Sequence, residues 1–114
     1  MPIQEIKPAA LFNLSGESGG GLTIVDVREP DEYAAVHAPV GANHPLSALS
    51  RGELGSLTSV RRDEPLYLLC RSGQRSLRAC ALLRKQGFIT VFNVAGGILA
   101  WVAEGLPVVR EDAT

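Results

Sequence analysis

The chain has 114 residues, 46% hydrophobic and 20% charged, a size and balance that fit one globular domain and exclude a disordered tail or a low-complexity polymer. Eleven Lys and Arg against twelve Asp and Glu leave a formal net charge of -1, so no whole-surface attraction to nucleic acid or to an anionic membrane is expected, and any anion site must be local. The longest apolar runs, residues 66–70 and 98–103, fall far short of the ~20 residues that span a bilayer. Residues 1–14 hold no long apolar stretch of the secretory kind, so the cytoplasm is the expected location. Cys70 and Cys80 are too few for a disulfide scaffold and lack the spacing of paired zinc ligands. No metal is expected, and cysteine chemistry would run through one thiol at a time.

Glycine and proline divide the chain into short units. Residues 3–7 alternate apolar and polar as a first strand, and Pro8 opens a helix over residues 9–14 before the four glycines of residues 15–21 predict a loop. Residues 22–27, Leu-Thr-Ile-Val-Asp-Val, are β-branched and nearly all apolar, the pattern of a strand buried on both faces. Pro30, Asp31 and Glu32 form a helical first turn with acids where the helix dipole favours them. Residues 42–46 predict a brief strand and 47–57 a weak helix interrupted by Gly52 and Gly55.

Residues 65–70 form the second strongly apolar strand, followed by a helix over 75–86 that Gly87 ends. At 100° per residue Ser76, Ala79, Cys80 and Leu83 share one face of that helix, narrow enough to lie close on a sheet. Residues 88–94 predict a third strand, Gly96-Gly97 a packing turn, and 98–104 a last helix with Ile98, Trp101 and Val102 on one side, stopped by Gly105-Leu106-Pro107. Strands alternating with helices predict an α/β domain with a mainly parallel central sheet.

The chemistry concentrates in Cys70-Arg71-Ser72-Gly73-Gln74-Arg75-Ser76. Here a buried strand ends in a cysteine, a short polar turn follows, and a helix begins. Ligands of open α/β sheets bind beyond the carboxyl ends of strands, where Cys70 falls. Amides of Arg71, Ser72, Gly73, Gln74 and Arg75 can curl towards the sulfur, with Gly73 permitting the tight backbone and the helix turning its positive end to the same point. A free thiol of pKa about 8.5 is only roughly 3% ionised at pH 7. A helix end supplies about 0.3 to 1 kcal/mol, at best ~2, against about 1.36 kcal/mol per pKa unit. Charge-assisted N–H bonds of roughly 1.5 to 3 kcal/mol each are therefore needed as well. From Cys70 to Gln86 the chain carries Arg71, Arg75, Arg78, Arg84 and Lys85 and no acid, so this end should attract a small anion. Arg78 and Lys85 also fit an ordinary solvated helix face.

Taken in order, Asp26-Val27-Arg28-Glu29-Pro30-Asp31-Glu32-Tyr33, His37-Ala38-Pro39 with Asn43 and Pro45, the Cys70–Ser76 segment, Gly96-Gly97-Ile98-Leu99-Ala100-Trp101 and Gly105-Leu106-Pro107-Val108 resemble the single-domain rhodanese-like sulfurtransferases. The resemblance runs from about residue 3 to 108, one domain within 1–114. It implies a rhodanese-like α/β fold, with a mainly parallel central sheet flanked by helices on both faces. It also implies that Cys70 takes a sulfane sulfur from thiosulfate or a similar donor and holds it as a persulfide, with Arg71, Ser72, Gly73, Gln74 and Arg75 binding the donor. The acceptor would be a thiol or cyanide, a sulfur-carrying protein is a conceivable partner, and no cofactor is implied. The loop from cysteine to last basic residue spans six positions, Cys70 to Arg75, as in active relatives; the similar cell-division-cycle phosphatases have one more, fitting phosphate. A non-catalytic rhodanese-like sulfur-carrier or regulatory binding module is the alternative. One departure is Pro39-Val40-Gly41-Ala42, where the family usually has Pro-Gly-Ala.

Of the remaining residues, Cys80 and Trp101 are expected to be core. His37 and His44 should organise loops, and Asp26 and Arg28 should tie neighbouring segments as an ion pair.

Overall fold

A computed structural model describes residues 3–111. In chain order the elements are β1 (Gln4–Ile6), α1 (Pro8–Glu17), β2 (Thr23–Asp26), α2 (Pro30–Ala35), β3 (Val36–His37), β4 (Ala42–Asn43), α3 (Leu46–Ser50), a 3₁₀ turn (Gly55–Ser59), β5 (Leu66–Leu69), α4 (Gln74–Lys85), β6 (Val91–Val94), α5 (Gly97–Ala103) and β7 (Val109–Arg110). Five strands form one parallel sheet in the order β1-β6-β5-β2-β4, and β3 pairs antiparallel with β7. Among the described residues no helix is long and apolar enough to cross a membrane.

The unbroken apolar runs of β2 and β5 have a direct cause, because both sheet faces are covered. Leu66 and Leu68 point to one side, where Leu49 of α3 and Ala79, Cys80 and Leu83 of α4 pack on them. Tyr67 and Leu69 point to the other, against Leu11 of α1 and Ile98 and Trp101 of α5. The register places Asp26 beside Leu69 and Asn93 beside Leu68, so β2, β5 and β6 end at the same edge of the sheet, around the segment that follows β5.

Several boundaries differ from the sequence reading. Residues 15–17, expected in a loop, continue α1; Ser15 is buried, and the Ser18 amide closes the helix on the Leu14 carbonyl. One internal glycine, Gly16, costs a helix only ~1 kcal/mol, and the break waits for Gly19 and Gly20 at φ 65° and 84°. The expected weak helix over 47–57 divides into α3 and the 3₁₀ turn. The third strand starts at Val91 and not at Phe88. Gly87, at φ 100°, donates to the Arg84 carbonyl and Phe88 to that of Leu83, the Schellman closure of α4, and the Phe88 ring enters the core beneath the Arg62 guanidinium. On α5, Ile98 and Trp101 are buried while Val102 is 41% exposed, because it lies 100° past Trp101 on a helix whose sheet-facing stripe is narrow. The extra residue at Val40 is absorbed locally: Val40 packs against the α1–α5 side of the core, and Gly41, at φ 94°, sits where a β-carbon would meet the Ile24 carbonyl at 2.7 Å.

Beyond β2, Arg28 turns back into the protein. Its Nε and Nη2 donate to the Asp26 carboxylate, its Nη1 to the Glu32 carbonyl and its Nη2 also to the Val36 carbonyl. Both side chains are nearly fully buried, so the pair fastens α2 to the end of β2. Removing one member of such a pair strands a buried charge, at a cost of about 3–5 kcal/mol. Asp26→Asn should lose about that much in urea unfolding, and Asp26→Leu combined with Arg28→Met distinctly less; a single-variant loss below ~1 kcal/mol would refute this role.

Candidate active site

Cys70 follows the last residue of β5 and is only 1% exposed. Its sulfur accepts a hydrogen bond from the Gly73 amide at 3.0 Å, and the Ser76 hydroxyl lies 3.2 Å away. Gly73 adopts φ 98°, a conformation that favours glycine, and that turn brings the amide round onto the sulfur three residues back. Burial pushes the Cys70 thiol up. The Ser76 hydroxyl and the backbone amides of Ser76, Gly73 and Ser72 more than offset it, leaving the thiol below its ordinary value. The start of α4 adds the favourable end of a helix dipole.

The turn is held from outside by α5. The Ile98 amide donates to the Cys70 carbonyl at 2.8 Å and the Leu99 amide to the Arg71 carbonyl at 3.1 Å. In a planar trans peptide the C=O and N–H point opposite ways, so drawing those two carbonyls towards α5 directs the Arg71 and Ser72 amides away from it. Gly97, at φ 57°, makes the approach possible: a β-carbon there would lie 2.4 Å from the Cys70 carbonyl oxygen. The Gly96-Gly97 packing turn therefore sets the geometry of the cysteine loop.

A second support runs across the sheet. Asn93, buried on β6, donates from Nδ2 to the Gly73 carbonyl at 3.1 Å and to the Glu5 carboxylate of β1 at 2.9 Å. Its Oδ1 faces the Ser76 hydroxyl. That hydroxyl has one hydrogen to give and two acceptors in reach, Asn93 Oδ1 and the Cys70 sulfur. Asn93 and Glu5 were not singled out by the sequence, although a polar residue inside an apolar strand was the available signal.

Of the five residues expected to bind a donor, Arg71, Ser72 and Gln74 are exposed around the loop and Gly73 is buried against the sulfur. Arg75 is otherwise engaged. Its Nη1 and Nη2 donate to the two carboxylate oxygens of Glu32 at 2.6 and 2.8 Å. Glu32 Oε1 also accepts the Glu29 amide at the start of α2, and the Arg75 hydrogen bonds hold its carboxyl down at about 2. The sequence shows Glu32 only as a first-turn acid.

The other expectations have definite places. Cys80 is fully buried on the sheet-facing side of α4 with Ser76, Ala79 and Leu83, and its thiol is pushed up to about 12 by burial, with the charges of Glu5 and Cys70 adding. His37 Nδ1 lies 2.7 Å from the Tyr33 carbonyl and its ring stacks on Tyr33. His44 Nε2 lies 2.7 Å from the Glu53 carbonyl. The His44 imidazole braces a loop, as expected, whereas His37 lies in β3 and ties that strand to α2. Arg78 and Lys85 are solvent-exposed, and Trp101 is fully buried with its Nε1 donating to the Pro107 carbonyl.

A thiol so placed can serve as a nucleophile, since the hydrogen bonds of the loop favour its charged form. Residues 12–104 match the Rhodanese-like domain family, and the chain belongs to it. It is 37% identical over 89 residues to a sulfurtransferase of Allochromatium vinosum, covering 78% of this chain and 79% of that protein. It is also 33% identical over 102 residues to the putative sulfur carrier protein YrkF of Bacillus subtilis, covering 90% of this chain but 52% of that one. Among solved structures, a rhodanese-related protein from Thermoplasma volcanium superposes with a TM-score of 0.73 at 33% identity, over 93% of this chain and 97% of that chain.

The site makes a pH prediction. Cys70 is more reactive above its lowered pKa and loses reactivity as pH falls through it, while Glu32, held to about 2, keeps its grip on Arg75 throughout that range. The pH midpoint of Cys70 alkylation should lie below that of a free thiol, about 8.5, and Ser76→Ala should move it upward. A midpoint at the free-thiol value in the unaltered protein would contradict the loop's effect on the sulfur.

Proposed function

We propose that the protein is a sulfurtransferase in which Cys70 carries the transferred sulfur. The observation that carries this reading is the sulfur at the end of β5 with the Gly73 amide and the Ser76 hydroxyl directed at it. The Cys70 thiolate attacks the outer sulfur of thiosulfate or a similar sulfane donor. The donor's S–S bond breaks, sulfite leaves with the bonding pair, and a Cys70 persulfide remains. A thiol or cyanide then attacks the outer persulfide sulfur and Cys70 departs as the thiolate.

The amides of Ser72 and Gly73 stabilise the charge on sulfur in both steps, and Arg71, with Gln74 beside it at the rim, draws in the donor's anionic end. The small thiols of a reducing cytoplasm are suitable acceptors. So is a sulfur-carrying protein, a partner suggested by the name of the B. subtilis relative. Because Cys70 is 1% exposed, a module that stores sulfur without rapid turnover is the second reading.

Incubation with thiosulfate should add about 32 Da to the intact protein, and cyanide should then remove the sulfur as thiocyanate. Cys70→Ser should lose both the mass gain and turnover, whereas Cys80→Ser should keep them. A mass gain with no turnover by any small thiol or cyanide would favour the storage reading. Wild-type turnover by Cys70→Ser would end both.

A further inference from the structure

Three guanidinium groups belong to this end of the sheet, and two are matched to carboxylates. Arg28 is buried in the fork of Asp26. Arg75 gives both its Nη atoms to Glu32, which is fixed from a second side by the Glu29 amide. Arg71 is exposed, and among the described residues no side-chain partner meets it. Arg75 lies between Gly73, whose amide donates to the Cys70 sulfur, and Ser76, whose hydroxyl is 3.2 Å from it, so its engagement with Glu32 bears on whatever approaches that sulfur. An anion drawn towards Arg75 also meets the Glu32 carboxylate bonded to it, and the repulsion offsets much of the attraction.

Building on the sulfurtransferase reading, we infer that Glu32 sets the charge of the sulfur donor. By occupying Arg75 it leaves Arg71 as the one unmatched guanidinium at the cysteine loop among the described residues, and the site takes a monoanionic sulfane donor in preference to a dianion. The suitable class is an organic persulfide or thiosulfonate. With a thiosulfonate, the Cys70 thiolate attacks the terminal sulfur, the bond between that sulfur and the sulfonyl sulfur breaks, and sulfinate leaves with the electron pair. The product is the same Cys70 persulfide that thiosulfate gives with sulfite as leaving group. Two negative charges enter and two leave, and no outside oxidant or reductant is needed. Thiosulfate adds one more charge on each side, and among the described residues Arg71 is the one unmatched guanidinium of the loop to meet it. This is specificity by a repulsive element, with Glu32 a specificity-determining residue that does not touch the reacting atoms.

The matched probes are thiosulfate and benzenethiosulfonate, compared at equal ionic strength with cyanide as acceptor. Intrinsic reactivities of the two donors cancel when the ratio of their kcat/KM values is compared between proteins. Glu32→Gln should shift that ratio towards thiosulfate by about tenfold, mainly through a lower KM for thiosulfate, and adding Arg75→Gln should remove the gain. A ratio unchanged in Glu32→Gln, or both donors slowed equally, would overturn the assignment to Glu32 while leaving the sulfurtransferase reading intact. Absence of a Cys70 persulfide with either donor in the unaltered protein would remove both. A measurement on the unaltered protein guards against a variant that does not fold: methanesulfonate should protect Cys70 from alkylation at least as well as sulfate, and markedly better protection by sulfate would count against the inference.

Discussion

A sulfur nearly closed to water is made tolerant of negative charge by a handful of N–H and O–H groups, and the rest of the molecule keeps those groups aimed. Burial alone works against ionisation at Cys70, and the hydrogen bonds from Ser76, Gly73 and Ser72 reverse the balance. Hydrogen bonds to a charged group are strong only when donor and acceptor are held in line. A loop free to relax would lose that alignment and leave only the desolvation penalty. The hold exerted on the loop therefore matters as much as its own sequence.

That hold comes from three directions. From α5, two amides grip the Cys70 and Arg71 carbonyls across the space left by Gly97. From β6, Asn93 binds the Gly73 carbonyl and faces the Ser76 hydroxyl. From α2, Glu32 takes the Arg75 side chain at the first turn of α4. A parallel sheet makes the convergence possible, because its strands all finish at one edge and each can send a following segment towards the same point. Arg28 and Asp26 do for α2 what the α5 amides do for the loop, fixing the helix that presents Glu32.

How far this could be read from the sequence depends on the range of the interaction. β2 and β5 were legible because burial on both faces leaves an unbroken apolar run. The sheet-facing side of α4 was legible because a helix has one period. Cys70 and its loop were legible because the sulfur, Gly73 and Ser76 lie within seven consecutive residues. Local competition blurred the edges: the glycines of residues 15–21 suggested a loop that α1 partly overrides, and Phe88 was claimed by the closure of α4 before it could join β6. The supports themselves were not legible. Arg75 meets Glu32 from 43 positions away, and Asn93 meets Glu5 from 88. An acid in a helical first turn, or an asparagine in a strand, has an adequate local explanation until the partner is seen.

The two cysteines show how little of a thiol's chemistry is set by burial. Cys70 and Cys80 are both buried in the same core cluster. Cys80 stands one turn beyond Ser76 on the same side of α4, with Leu83 and Ala79 as its neighbours on that face. Its thiol is pushed up to about 12, so at neutral pH it stays protonated and behaves as a small apolar side chain. Cys70 shares the desolvation but faces a turn whose backbone has donors to offer, and its pKa moves the opposite way. A β-strand or the interior of a helix cannot make that offer, because its amides are committed to the ladder or to the preceding turn. Only where a strand has ended and a helix has not yet closed its first hydrogen bonds are several amides free at once. The position of Cys70 in that gap, more than its residue type or its depth, sets its sulfur apart from that of Cys80.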